Sequence, residues 1–282
     1  MTRKEHTETM SDSPGEVDRM GRLERRIAEL EHVIELEQER SREHLRLAAQ
    51  VHRSLLPLPA RTERVEIDVC YQPLEGVGGD YCQTHFPGEH VCYITLCDVT
   101  GHGVGAALLA TRVSSEVRRS VHAGSSPVEV VDRLNRFVYA NFADAGLLLT
   151  FFAARIDLAR YEVTWSGAGH PSPILIRAEG QTVVRLQSQN RILGVLPDSL
   201  AARPEDRSRF DPGDRIPFYT DGVTEVFDAA GEELGEEGLT GLMLEAMPLG
   251  VFGMLDRILA RVAAFQHGPV ADDRTLILFG AR

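Results

Sequence analysis

Four short stretches of this chain set a carboxylate beside a turn at one end of a strand-like run: Gly78-Gly-Asp80, Asp98-Val-Thr-Gly-His-Gly103, Thr220-Asp-Gly222 and Asp272-Asp-Arg-Thr275. In the second, an apolar run ends in Asp98, passes through Gly101, Gly103 and Gly105, and enters an alanine- and leucine-rich helix. Glycines there allow positive φ and a close approach of backbone to ligand. Taken singly, each stretch is an ordinary corner, and Asp-Gly is among the commonest turn dipeptides. The common pattern is what points to a site. Carboxylates gathered about 4 Å apart repel by roughly 4 kcal/mol per pair at an effective dielectric of about 20, so they must hold protons or bind a cation. Hard oxygen ligands without accompanying His or Cys select Mg²⁺ or Mn²⁺, and several acids suit a two-metal centre. Such a centre lowers the pKa of a bound water from about 15.7 toward neutrality, which makes metal-assisted phosphate-ester hydrolysis the chemistry to expect.

The elements that must position these acids follow from pattern and punctuation. Strands are predicted over Arg64–Gln72, Tyr81–Phe86 and His90–Asp98, then helices over Val104–Val121 and Pro127–Phe142, the second with proline in its first turn. Strands return at Leu147–Ile156, Glu162–Ser166 and Pro173–Arg177, and Val183–Leu196 reads as a further strand pair. Leu200–Asp214 reads as a polar flap or loop, Arg215–Tyr219 as a strand, Glu237–Met247 and Gly250–Gln266 as helices, and Arg274–Phe279 as the last strand. Strands bunch with strands and helices come in pairs, which predicts an α+β fold rather than a repeating βαβ sheet.

Ahead of this region, residues 1–16 are polar and expected to be disordered. Residues 17–57 form a predicted helix and linker, closed by Leu55-Leu-Pro-Leu-Pro59. Leu23, Ile27, Leu30 and Ile34 make a heptad seam, which lapses at Glu37, Ser41 and His44 and resumes at Ala48, Val51 and Leu55. A helix with so polar a middle must pack on a second copy of itself or on the following domain, and a parallel coiled-coil homodimer is the expectation. The remaining domain is 58–282.

Composition narrows the class. A hydrophobic share of 43% supports a proper core, and a net charge of −12 argues against a nucleic-acid binder, which needs clustered Lys and Arg. The most apolar stretch, Ala145–Ala154, is too short to span a bilayer, and the polar N-terminus is no signal peptide, so the expectation is a cytoplasmic protein with no membrane partner. Cys70, Cys82, Cys92 and Cys97 fall in predicted strands without a CxxC pair and read as core residues.

From about Ala48 onward the chain resembles the SpoIIE/RsbU branch of the PPM metal-dependent serine/threonine protein phosphatases. The resemblance is carried by Ala48-Ala-Gln-Val-His-Arg-Ser-Leu-Leu-Pro57, Val77-Gly-Gly-Asp-Tyr81, Asp98-Val-Thr-Gly-His-Gly-Val-Gly-Ala-Ala107, Ser166-Gly-Ala-Gly-His-Pro171, Leu193-Gly-Val195, Pro212-Gly-Asp214, Tyr219-Thr-Asp-Gly-Val-Thr-Glu225 and Asp272-Asp-Arg-Thr275, in that order. It implies a four-layer αββα sandwich with metals at one edge. Carried over by position, Asp80 and Asp98 bind metal, with Asp98 bridging two ions and the Val99 carbonyl completing the shell. Asp221 and Asp272 hold the second side, and Asp273 and Thr275 are supports. His102 is implied as a catalytic group that orients water or protonates the leaving oxygen, and His170 as a brace. The expected substrate is a phosphoserine or phosphothreonine on a STAS-domain anti-anti-sigma protein in a partner-switching pathway, with any activator acting on the N-terminal helix.

Two departures from the family pattern stand out. Gln83 occupies a position that usually carries an acid, and Pro217 interrupts a usually apolar strand, which predicts an edge strand or bulge there. A diguanylate-cyclase reading of Gly-Gly-Asp fails because Tyr81-Cys82 follows it and the other acids go unexplained. The remaining rival is a coiled-coil regulator that binds a phosphoprotein without turnover.

Overall fold

The computed structural model describes residues 14–101, 103–180, 182–197 and 205–282. The expected disorder of the first 13 residues and the role expected of His102 lie outside them. The chain divides into two compact units, Met1–Leu47 and Ala48–Arg282.

Helix α1 runs Pro14–Arg53. It ends before the expected Leu55-Leu-Pro-Leu-Pro59 break: the N–H groups of Leu55 and Leu56 bond the carbonyls of His52 and Arg53, an i to i+3 tightening before Pro57. Leu23, Ile27, Leu30 and Ile34 are all exposed on the single chain. Within the second unit the buried residues of this helix are Ala49 and His52, whereas Val51 of the seam is exposed.

The second unit continues with β1 (Ala60–Arg61), β2 (Val65–Gln72), β3 (Tyr81–Gly88), β4 (Val91–Val99), α2 (Val104–His122) and α3 (Pro127–Phe142). It goes on through β5 (Leu149–Asp157), β6 (Glu162–Ala168), β7 (Ile174–Ile176), β8 (Val183–Arg185), β9 (Asp206–Arg209) and β10 (Arg215–Tyr219). It ends with α4 (Gly235–Ala246), α5 (Gly250–Phe265) and β11 (Arg274–Ala281). These strands build two antiparallel sheets, one ordered β1-β2-β11-β10-β7-β8 and the other β3-β4-β5-β6-β9.

Alternation along the strands sorts the core. Cys92, Ile94 and Leu96 of β4 join Ile277 and Phe279 of β11 and Phe218 of β10 in a cluster fed by both sheets. Tyr93, Cys97 and Val99, on the other face of β4, pack with Val113 and Val117 of α2 and Leu134 of α3. Leu276 and Leu278 of β11 pack with Met243 of α4 and Ile258 of α5. Gly235–Phe265 is apolar and long enough to cross a bilayer by composition, but it is broken by a 3-10 turn at Met247–Leu249 and buries Leu239, Met243, Met254 and Ile258 in this last cluster.

Three expectations are corrected. The stretch 183–196 is not a strand pair: only Val183–Arg185 is a strand, and residues 186–196 run irregularly, touching neighbours through single bridges such as Leu149 with Leu193. The predicted flap contains β9, which extends the second sheet by pairing with β6. Pro217 lies neither on an edge strand nor at a bulge. It pairs with Leu278 in an unbroken β10–β11 ladder, while the ladder to β7 is a single pairing of Arg215 with Ile176, so the missing donor falls on a side with nothing to receive it.

Candidate metal centre

Antiparallel pairing brings the four acid motifs to one end of both sheets. Tyr81 pairs with Cys97, which puts Asp80 and Asp98 side by side in the second sheet. Tyr219 pairs with Leu276, which does the same for the Asp221 and Asp272–Asp273 segments in the first. The period of two also fixes direction. Cys82, Leu96, Phe218 and Ile277 enter the core shared by both sheets, so Asp80, Asp98, Thr220, Asp273 and Thr275, two or four residues away along the same strands, lie on that shared side where the apolar core runs out.

The segments are locked together by backbone contacts that leave no room for side chains. A Cβ on Gly78 would lie 2.0 Å from Asp273 Oδ2, and one on Gly222 would lie 1.9 Å from the Asp273 carbonyl oxygen. A Cβ on Gly79 would lie 2.8 Å from the Val99 carbonyl oxygen, so the loop before β3 rests on the turn after β4. That turn uses positive φ at Gly101 (92°) and Gly103 (82°), whereas Gly105 belongs to the first turn of α2. Asp273 is the brace: its Oδ1 accepts the Leu74 N–H at 2.7 Å and its Oδ2 the Gly79 N–H at 2.7 Å. Asp80 is buried, and its Oδ2 accepts the hydroxyls of Thr220 (2.7 Å) and Thr275 (2.6 Å).

Electrostatics ties the acids into one group. Burial first, then the charges of Asp221, Asp272, Asp273 and Glu225, push Asp98 up to about 7. Burial, Asp272 and Glu225 raise Asp221, and burial with Asp98 and Asp273 raises Asp80 well above the carboxylate range, against the two threonine hydroxyls. Asp272 is exposed, with Oδ1 accepting the Asp273 N–H at 2.7 Å. Among the described residues, no three His, Cys, Asp or Glu side chains close on a single point as they stand. The acids form an open ring in which Asp80, Asp98 and Asp221 are raised by burial and by their acidic neighbours, and added positive charge would offset that repulsion. All-oxygen donors, a nearby backbone carbonyl at Val99 and raised acids fit a hard divalent cation.

Glu225 is the member that sequence reasoning passed over. Its N–H bonds the Asp221 carbonyl at 2.7 Å, so one helical turn stacks the two acids; the Asp-x-x-x-Glu spacing was the available signal. His170 is buried, with Nδ1 at 2.7 Å from Thr150 Oγ1, and Thr150 pairs across the ladder with Asp98. Burial holds the His170 ring down to about 3, neutral at ordinary pH. His170, Pro171 and Ser172 face Asp221, Thr224 and Glu225 across a cleft of about 380 Å³. Gln83 faces away from the acids: its amide lies between the Tyr81 hydroxyl and the Arg118 guanidinium of α2. The absent acid there leaves the ring intact.

Comparison with known proteins places this geometry. Residues 88–282 match the family model described as Stage II sporulation protein E (SpoIIE). The phosphoserine phosphatase RsbU of Bacillus subtilis (strain 168) is 28% identical over 247 residues, covering 86% of this chain and 71% of RsbU. Among solved structures, the SiaA-PP2C domain of Pseudomonas aeruginosa superposes with a TM-score of 0.75 at 18% identity, over 86% of this chain and 98% of that domain. RsbX in complex with magnesium superposes with a TM-score of 0.61 at 16% identity, over 80% of this chain and 99% of RsbX. With the family model matched over well more than half its length, and with the PPM fold around the acids, the chain belongs to the SpoIIE family of PPM-type serine phosphatases.

Proposed function

We propose that the protein hydrolyses phosphoserine or phosphothreonine on a regulatory protein, with a STAS-domain anti-anti-sigma factor in a partner-switching pathway as the substrate class, and that it does so with two bound Mn²⁺ or Mg²⁺ ions. One observation carries the reading: Asp80, Asp98, Asp221 and Asp272, far apart in sequence, meet in one coupled ring at the ends of both sheets.

In this reading Asp80, Asp98, the Val99 carbonyl, Asp221 and Asp272 hold the ions. Ions held there would neutralise the ring and would supply a water whose pKa is lowered toward neutrality. The chain's own groups do the rest. Thr220 and Thr275 fix one oxygen of Asp80, Asp273 fixes the loop that presents it, and Glu225 adds negative charge next to Asp221. Neutral His170 holds Thr150 beside Asp98. His102 is kept as the candidate proton donor. The cleft between His170 and Glu225 gives an extended phosphopeptide room beside the acids.

The supporting frame is an αββα layering, drawn from the three clusters, with residues 58–282 as the catalytic domain. The exposed Leu23–Ile34 seam supports a coiled-coil homodimer and an input point for an activator. The setting is the cytoplasm.

The test is hydrolysis of a generic aryl phosphate with Mn²⁺, with EDTA and with Asp98→Asn. A direct ligand should matter more than outer-sphere residues, whose loss costs about 10–100-fold, so Asp98→Asn should lose roughly 100-fold or more. Activity that survives both EDTA and Asp98→Asn would refute the reading.

A further inference from the structure

In a chain of net charge −12, basic side chains line one cleft at the C-terminal end of α2. Arg118, Arg119 and His122 on the last turns of α2 line a cleft of about 360 Å³, with Ser115, the buried Ser114 and Leu55 completing its wall. Behind His122 stands His85 of β3, ring centroids 4.1 Å apart and edge to face. The Nε2 of His85 is shut off from water and has no hydrogen-bond partner among the described residues. Such an atom costs stability where it stands unpaired, and its neighbours decide what could satisfy it.

Those neighbours are an imidazole and a guanidinium. Burial, His122 and Arg118 together hold the His85 ring below its usual value. Glu116 is the carboxylate on this stretch, and it is drawn to Arg119 and, at 3.8 Å, to Arg112. Arg118 touches the Gln83 amide, a neutral partner, and its charge is not compensated by a carboxylate among the described residues. Two histidines side by side can hold a transition metal, but an uncompensated guanidinium beside them repels one. Arginine forks, hydroxyls and imidazole N–H groups instead match the oxygens of a phosphate group.

We infer that this cleft is a binding site for a phosphate dianion, free or as a phosphomonoester, held by Arg118, Arg119 and His122 with His85 behind them. From Val104 at the acid end of α2 to Arg118 is 14 residues, roughly 20 Å at the helical rise, so the site is separate from the metal centre. The inference does not rest on the phosphatase reading. Because Leu55 and α2 both line the cleft, an anion there joins the exit of the N-terminal helix to the helix that starts beside Asp98.

The test is a titration of the Asp98→Asn protein in EDTA, at constant ionic strength, with inorganic phosphate, O-phosphoserine and chloride, and of a separate EDTA-free sample with Zn²⁺. Histidine-ring NMR signals assigned to His85 and His122 provide the readout. Asp98→Asn and EDTA remove binding at the acid ring. Saturable shifts with phosphate or phosphoserine, weakened at least tenfold by Arg118→Gln with Arg119→Gln, are expected, and the tighter of the two ligands identifies the source. Both arginines are exposed, and an unchanged melting curve of the variant keeps the comparison valid. Shifts that chloride reproduces, that the double substitution leaves intact, or that Zn²⁺ alone produces would overturn the site.

Discussion

Asp273 reaches from the start of β11 to the loop before β3, where its Oδ2 accepts the Gly79 N–H at 2.7 Å. With Oδ1 on the Leu74 N–H, one carboxylate orders the loop that carries Asp80, across 194 residues of sequence. Hydrogen bonds to a charged group contribute about 1.5–3 kcal/mol each. Asp273→Ala should therefore lose about 3–5 kcal/mol in denaturant melts, and Asp273→Asn, which keeps the shape and one acceptor, less. If Asp273→Ala melts like the parent, the brace is not structural.

Gly78 and Gly222 make a steric prediction. A methyl at either position falls about 2 Å from an Asp273 oxygen, well inside van der Waals contact. Gly222→Ala meets backbone, which cannot swing aside, whereas Gly78→Ala meets the end of a side chain. Overpacking of this kind costs about 1–3 kcal/mol or more. Gly222→Ala should thus be the more destabilising, and in Gly78→Ala the loss should fall on metal affinity as Asp273 is displaced. Isothermal titration with Mn²⁺ alongside thermal melts separates the two outcomes.

The raised Asp98 makes stability depend on pH in a defined direction. Its folded-state value of about 7 lies above the ordinary 3.8, so between the two the folded chain holds a proton that the unfolded chain has released. The resulting stability is complete below about pH 4 and is lost as pH rises through about 7. His170 acts oppositely: its folded value of about 3 means stability is lost as pH falls below about 6.5. Comparing parent and Asp98→Asn isolates the first effect. In EDTA, the parent's melting temperature should decline relative to Asp98→Asn between about pH 5 and pH 8, and saturating Mn²⁺ should restore it. Parallel pH profiles for the two proteins would remove Asp98 from the account.

For the seam, Leu30→Lys with Ile34→Lys should convert a dimer to a monomer by light scattering while the melt of the phosphatase unit stays put, since both side chains are exposed on the single chain. A parent protein already monomeric at micromolar concentration would refute the coiled coil.

What could be read in advance depended on whether the signal was local. The helix at Pro127–Phe142 was legible to the residue because proline, serine cap and Glu129 all act within one turn; the Ser126 N–H bonds Glu129 at 2.8 Å. The four aspartates were legible because each sits at a strand end beside a turn. Thr220 was not, because its partner, the Asp80 carboxylate, is 140 residues away and no spacing announces it. Residues 186–196 misled because apolar side chains such as Leu186 and Leu193 are buried as a strand's would be, without a ladder. His85 and His122 carried no signal at all until the fold stacked their rings.

Pro217 has an effect on shape that its place in the ladder does not announce. Extending the register of β7 and β10 past Arg215 and Ile176 sets Ile174 opposite Pro217, which has no hydrogen to offer, so the two strands unzip at that level. Beyond that level the described residues show no β7–β10 pairing, and the Tyr219 hydroxyl donates to the Ser172 carbonyl at 3.1 Å as a side-chain link between the two strand ends. The chain segments that continue from those ends are 169–172 and 221–225, the two walls of the cleft beside the acids. An imino acid at this level cannot knit the seam by a backbone N–H, and the walls of the cleft beside the acids begin where that seam is unpaired, four residues upstream of Asp221.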